Sequence, residues 1–281
     1  MEHCILHNGV SIPSIGFGTW QIPDGLQCVD AVKKAIDLGY RHFDTAFVYE
    51  NEESVGKAIR ESGIPREEFF VTSKLRNPDQ KCEFALHAFE LTMNLLGLDY
   101  LDMYLIHWPI PKGHNHDYAD LNLSAWRAFE WLYKHGYIRA IGVCNFEQEH
   151  LQTLLDRAEI RPMVNQIEYH PGYARDDLVL YCQSENVLVE AWSPLGNGKI
   201  LSHATLQEIA GHYHKSVGQL CLRWIYEKGI VPLPKSVHVD RMQENLDIFD
   251  FELSEEDRQR IGSLPTCGWS GLDAGNLPFY V

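Results

Sequence analysis

The sequence predicts an α/β chain closed as a (β/α)8 TIM barrel, with an N-terminal β-hairpin and extra surface helices. Three observations carry that prediction. Eight short apolar runs, at 15–18, 41–44, 69–75, 101–107, 139–144, 163–167, 187–192 and 230–234, alternate with longer amphipathic segments of helical period. The 281 residues suit one barrel of about 250 residues plus decoration, and no linker interrupts the series, so 1–281 reads as a single domain. The pair Gly16-Phe17-Gly18 is followed by Gln21 where a doubly wound dinucleotide domain would place its third glycine, which favours a closed barrel over an open sheet.

The elements follow in order. Ile5-Leu6, Asn8-Gly9 and Val10-Ser11-Ile12 read as a hairpin with a type I′ turn, because Asn-Gly tolerates the positive φ angles that turn needs. Asn51 before Glu52-Glu53-Ser54-Val55 and Ser124 before Ala125-Trp126 are helix starts whose side chains can cap free N–H groups. Ser254-Glu255-Glu256-Asp257 resembles a capping box with Asp in place of Glu, and opens an extra helix after the eighth unit.

Composition narrows the function. With 45% hydrophobic and 22% charged residues the chain can build its core without disulfides or metal. A formal charge of -15 opposes nucleic acid and anionic membranes as partners, so an anionic ligand needs a local basic pocket. The seven cysteines are scattered and lack C-x-x-C spacing, as in a reduced protein without structural zinc. The N-terminus shows no secretory pattern and no stretch suits a membrane span, so a cytoplasmic location is expected; the chain is separately expected to be a monomer.

In a barrel, polar residues at strand C-terminal ends converge on the catalytic face. Asp44 ends "RHFD", Lys74 falls near the end of "FFVTSKL", His107 ends "LDMYLIH", and Tyr49 sits five residues past Asp44. A tyrosine hydroxyl is a poor acid at neutral pH unless an ammonium stabilises its phenolate. Lys74 could supply that ammonium, Asp44 could keep it charged, and His107 could orient a substrate oxygen toward Tyr49. Each residue taken singly also has a structural reading; the combination is what points to proton donation.

These residues resemble the aldo-keto reductases, and the resemblance spans nearly the whole chain: "GFGTW" at 16–20, "HFDTAFVYENEESVGKAI" at 42–59, "VTSKL" at 71–75, "IHWP" at 106–109, "IGVCNF" at 141–146, "NQIEYHP" at 165–171, "WSPLG" at 192–196 and "PKSVHVDRMQEN" at 234–245. The branch it is most similar to holds 2,5-diketo-D-gluconate reductases and prostaglandin F synthase-like enzymes. The resemblance implies a tetrad of Asp44, Tyr49, Lys74 and His107 and an NADPH/NADP+ cofactor extended over the barrel mouth, with Gly18, Thr19, Trp20 and Asp44 beside it. It implies that Asn145 and Gln166 hold the nicotinamide carboxamide, that Trp192 stacks on the ring, and that Ser193 and Leu195 cover the pyrophosphate. Lys235, Ser236 and Arg241 match the pocket for the adenosine 2′-phosphate, and Glu244 and Asn245 the adenine contacts. Cys144 stands where the family usually has serine, and Trp192 where it usually has tyrosine.

The expected substrate is a small carbonyl compound in a pocket lined by Trp20, Phe47, Tyr49, His107 and Trp108, with no metal. The tail from Thr266 onward is short for the family, which suggests an open pocket and broad specificity. Two other readings compete: a nucleotide-binding regulatory barrel without significant turnover, and a Schiff-base aldolase using Lys74. The second needs a neutral lysine, which Asp44 would oppose.

Overall fold

The computed structural model describes residues 2–274. β1 (His3–Ile5) pairs antiparallel with β2 (Ser11–Pro13). Gly9 alone in the connection takes a positive φ, 86°, and Asn8 instead turns its side-chain oxygen to the Val10 N–H at 3.1 Å. The expected two-residue type I′ turn is therefore replaced by a longer loop in which only one residue must be left-handed.

Eight parallel strands follow: β3 (Phe17–Gly18), β4 (His42–Asp44), β5 (Phe70–Leu75), β6 (Leu101–Ile106), β7 (Ile138–Cys144), β8 (Val164–Glu168), β9 (Leu188–Trp192) and β10 (Ile230–Leu233). Each matches an apolar run of the sequence to within one or two residues. The runs are legible because strands walled by helices outside and packed side chains inside carry apolar residues on both faces. Ten helices lie among and after them in the described residues, α1 (Leu26–Leu38), α2 (Glu52–Arg60), α3 (Cys82–Leu96), α4 (Tyr118–Lys134), α5 (Gln148–Arg157), α6 (Asp176–Ser184), α7 (Ala204–His212), α8 (Val217–Glu227), α9 (Val239–Leu246) and α10 (Glu255–Gly262).

Neighbouring strands pair in sequence order from β3 to β10, and the Gly16-Phe17-Gly18 pair closes the ring. The Gly16 N–H donates to the Pro232 carbonyl at 3.0 Å and the Gly18 N–H to Pro234 at 3.0 Å. A Cβ on Gly16 would lie 2.4 Å from Leu233 Cδ2 and 2.8 Å from His42 Nδ1. These glycines thus serve strand closure rather than a phosphate turn.

Two expected caps are corrected. Asn51 precedes α2 without a side-chain cap: its oxygen accepts from Thr45 Oγ1 at 2.8 Å, and its nitrogen donates to the carbonyls of Thr19 and Ile22 at 2.9 and 3.0 Å. Ser124 does not open a helix, since α4 starts at Tyr118 and the Ser124 hydroxyl accepts from the Cys82 N–H at 3.0 Å. Ser254 does cap α10, accepting from the Asp257 N–H at 3.1 Å. The reciprocal arm of the box is absent, because Ser254 N–H goes to the Tyr213 hydroxyl and Asp257 accepts from that same hydroxyl at 2.8 Å.

Gly16→Ala is expected to lower stability by about 1–3 kcal/mol, the usual cost of overpacking a filled site. Urea unfolding with an unchanged slope and a lower midpoint would show it; an unshifted midpoint would contradict the seam as described.

Candidate active site

Alternate strand positions share a face. His42 and Asp44 of β4, Thr72 and Lys74 of β5, Gln166 of β8 and Glu190 of β9 accordingly meet inside the barrel. Lys74 is fully buried, and its ammonium donates to Asp44 Oδ1 at 2.6 Å and to the Thr45 carbonyl at 3.0 Å. It also reaches the Tyr49 hydroxyl at 3.4 Å. Burial alone would push the Lys74 ammonium toward the neutral form, but the charge and hydrogen bond of Asp44, with Tyr49 and Cys144 beside it, together outweigh that and hold the group charged, above its ordinary range.

Tyr49 ends a 3-10 turn over Phe47–Tyr49, and Glu50 at φ 55° turns the chain away after it. Asn51 ties this turn to the loop carrying Trp20, which is why its side chain is not free to cap α2. Burial raises the Tyr49 phenol above its ordinary value while the Lys74 ammonium opposes that rise. The sequence-based expectation of a net acidic phenol is therefore corrected: the lysine pulls in the expected direction and desolvation wins.

His107 directly follows β6, its N–H bonded to the Leu75 carbonyl at 3.1 Å. Its ring meets the Tyr49 ring edge to face at 5.7 Å. Burial, and then the nearby Lys74 charge, hold His107 well below the usual imidazole range, so it is neutral.

A cavity of about 580 Å³ opens at this end of the barrel. Gly18, Trp20, Asp44, Tyr49, His107 and Trp108 line it from the first four strands and their loops. Cys144, Asn145, Gln166, Trp192, Ser193 and Leu195 line its middle, and Lys235, Ser236, Arg241, Glu244 and Asn245 line it beyond β10. Three sequence-selected residues are absent from the lining. Lys74 acts from beneath Tyr49. Thr19 turns its hydroxyl back to the Asp44 carbonyl at 2.9 Å. Phe47 lies under the Arg76 guanidinium, 4.9 Å from the ring centroid, and Val48 takes its place at the cavity wall.

Asn145, at φ 63°, donates to the His107 carbonyl at 3.0 Å and to Cys144 Sγ at 3.1 Å. Its oxygen accepts from the Trp192 indole N–H at 2.8 Å, a bond that a tyrosine at 192 would make differently, if at all. Burial raises the Cys144 thiol, which stays protonated and faces Gln166 Oε1 at 3.7 Å.

Sequence reasoning missed Glu190, Glu168 and Leu272. Glu190 is fully buried and accepts from Gln166 Nε2 at 2.8 Å. An acid two residues before Trp192 in an apolar strand was the available signal. Glu168 ties down the tail, accepting from the Ser270 N–H at 2.8 Å and hydroxyl at 2.6 Å, while Trp269 stacks on Tyr173. Leu272 thereby joins the cavity wall, so the short tail still supplies part of the pocket. Residues 275–281 of the tail lie outside the described residues.

Among the described residues no helix is long and apolar enough to cross a membrane, and no cluster of three His, Cys, Asp or Glu could hold a metal ion.

An eight-stranded barrel with its polar groups gathered beyond the strand C-terminal ends is the architecture of a barrel oxidoreductase, one of several classes that build on it. Residues 14–265 match the Aldo/keto reductase family, and the chain belongs to it. It is 50% identical over 259 residues to a glyoxal reductase of Bacillus subtilis (strain 168), covering 92% of this chain and 91% of that protein. It is 47% identical over 279 residues to a 9,11-endoperoxide prostaglandin H2 reductase of Trypanosoma cruzi (strain CL Brener), covering 98% and 96% of the two chains. Its fold is similar to an aldo-keto reductase from a Medee basin deep-sea metagenome library, with TM-score 0.92, 44% identity and coverage of 98% and 100%. It is also similar to a Bombyx mori aldo-keto reductase in complex with NADP, with TM-score 0.86, 37% identity and coverage of 93% and 92%.

The buried acid gives a pH signature. Burial, then the Asp44 charge, push Glu190 up to about 8 from an ordinary 4.5. The folded protein keeps a proton there that the unfolded chain has released, so this group's stabilisation is complete below about pH 4.5 and is lost as pH rises to about 8. Relative to the wild type, Glu190→Gln should gain stability steadily across that window in urea unfolding at stepped pH; parallel profiles would refute it.

Proposed function

We propose that the chain is an NADPH-dependent reductase of small aldehydes and ketones, dicarbonyls such as glyoxal among them, with Tyr49 as the proton donor. The single observation that carries this reading is the Tyr49 hydroxyl set 3.4 Å from a buried, charged Lys74 at the wall of the cavity.

The cavity suits a nicotinamide dinucleotide phosphate. In a chain of net charge -15, Lys235 and Arg241 line it without an ion-pair partner among the described residues, which suits a phosphate dianion. The polar amides of Asn145 and Gln166 and the indole of Trp192 line its middle, as a carboxamide-bearing ring requires. The NADP-bound relative supports the same choice.

When bound, the cofactor supplies the hydride for the carbonyl carbon. Tyr49 gives its proton to the carbonyl oxygen as negative charge develops there. Its phenol stays protonated at rest because burial holds it above its ordinary value. An alkoxide is a stronger base than a phenolate, so transfer is downhill once charge has formed, and the Lys74 ammonium stabilises the phenolate left behind. Neutral His107 can hydrogen-bond the same oxygen. A charged Lys74 disfavours the aldolase reading, since an ammonium is not a nucleophile.

Tyr49→Phe should lower kcat by about a hundredfold or more with NADPH affinity retained, followed by loss of reduced-nicotinamide absorbance with glyoxal. Near-normal turnover in that variant would exclude Tyr49 as donor, and a wild type that binds NADPH but turns over no carbonyl would favour the regulatory barrel. Arg241→Ala should raise the NADPH Kd about 10- to 100-fold while NADH binding barely changes; equal effects on both would remove the phosphate assignment.

A further inference from the structure

A carboxamide has nearly the same shape whichever way it points, so a glutamine that must present its oxygen to a ligand needs its nitrogen committed elsewhere. Gln166 meets that need. Its Nε2 donates to Asp44 Oδ2 at 2.8 Å and to Glu190 Oε2 at 2.8 Å, which consumes both N–H groups. A flipped amide would set its oxygen against two carboxyl groups. The oxygen is left toward Cys144 and the cavity that Gln166 lines.

We infer that Glu190 is a positioning residue of the cofactor site: with Asp44 it fixes the Gln166 oxygen as the acceptor for the carboxamide N–H of a nicotinamide ring. The inference rests on the NADPH reading above. Asp44 holds one N–H, and Glu190 supplies the second anchor against rotation about the last side-chain bond.

The far oxygen of Glu190 completes the device. Oε1 faces His42 Nε2 at 3.6 Å and has no closer partner. His42 is wedged edge-on against Phe70 at 5.0 Å and also lies 3.4 Å from Thr72 Oγ1. Burial, then the Lys74 charge, press His42 down to about 3, so its ring is neutral and its Nε2 can accept. Glu190, raised to about 8, carries the proton that such an acceptor wants. It accepts from Gln166 on one oxygen, and its other oxygen faces His42 beyond hydrogen-bond distance. A glutamine at 190 reproduces that pattern, with its oxygen toward Gln166 and its NH2 toward His42; an apolar residue does not.

The experiment compares Kd values for NADPH and for its 3-acetylpyridine analogue, which keeps the ring carbonyl and lacks the N–H donors. Quenching of tryptophan fluorescence reads both, since Trp192 lines the cavity. In Glu190→Met the NADPH Kd should rise about tenfold and the analogue's should change less than about twofold, as loss of one oriented hydrogen bond requires. Glu190→Gln should keep the wild-type ratio of the two. If the methionine variant does not fold by circular dichroism, Glu190→Leu replaces it. An unchanged ratio in the apolar variant, or a ratio lost in Glu190→Gln, overturns the role of Glu190 while leaving the NADPH reading intact. A wild type that binds neither nucleotide removes that reading and this inference together.

Discussion

A lysine ammonium cut off from water stays charged only against a carboxylate, and in this barrel that carboxylate is Asp44, 2.6 Å away. The pair imposes further obligations. The remaining ammonium hydrogens go to the Thr45 carbonyl and the Tyr49 hydroxyl, and the second Asp44 oxygen takes Gln166, which in turn takes Glu190. A chain of polar groups from four strands is thus fixed by one desolvated charge. Breaking it at either end leaves an unmatched group where no water can answer it.

Much of this was open to reading from the sequence, for a physical reason. Strands buried on both faces must be apolar, so a charged or polar residue closing such a run, as Asp44, Lys74 and His107 do, stands out as an unmet cost and invites a purpose. The same logic applied to Glu190 and His42 would have found them, since each lies two residues before an inward-facing site residue on the same strand.

What the sequence could not supply was tertiary demand on local signals. Asn51 has the composition and position of a cap, yet the loop bearing Trp20 claims its side chain. Ser124 looks like a helix start until its hydroxyl is seen holding the first turn of α3. Phe47 and Val48 are adjacent on a tight turn, and only the turn's handedness decides which faces the cavity. The phenol is a matter of magnitude: a neighbouring cation was foreseeable from spacing, whereas the extent of burial that outweighs it was not.

The hairpin sits over the opposite end of the barrel, its loop bonded to the Arg139 carbonyl at the start of β7 and reaching the Pro162 carbonyl ahead of β8. It turns the barrel interior into a blind well. The deep imidazole and acid, His42 and Glu190, are fully buried on the stoppered side of the Asp44–Gln166 bond.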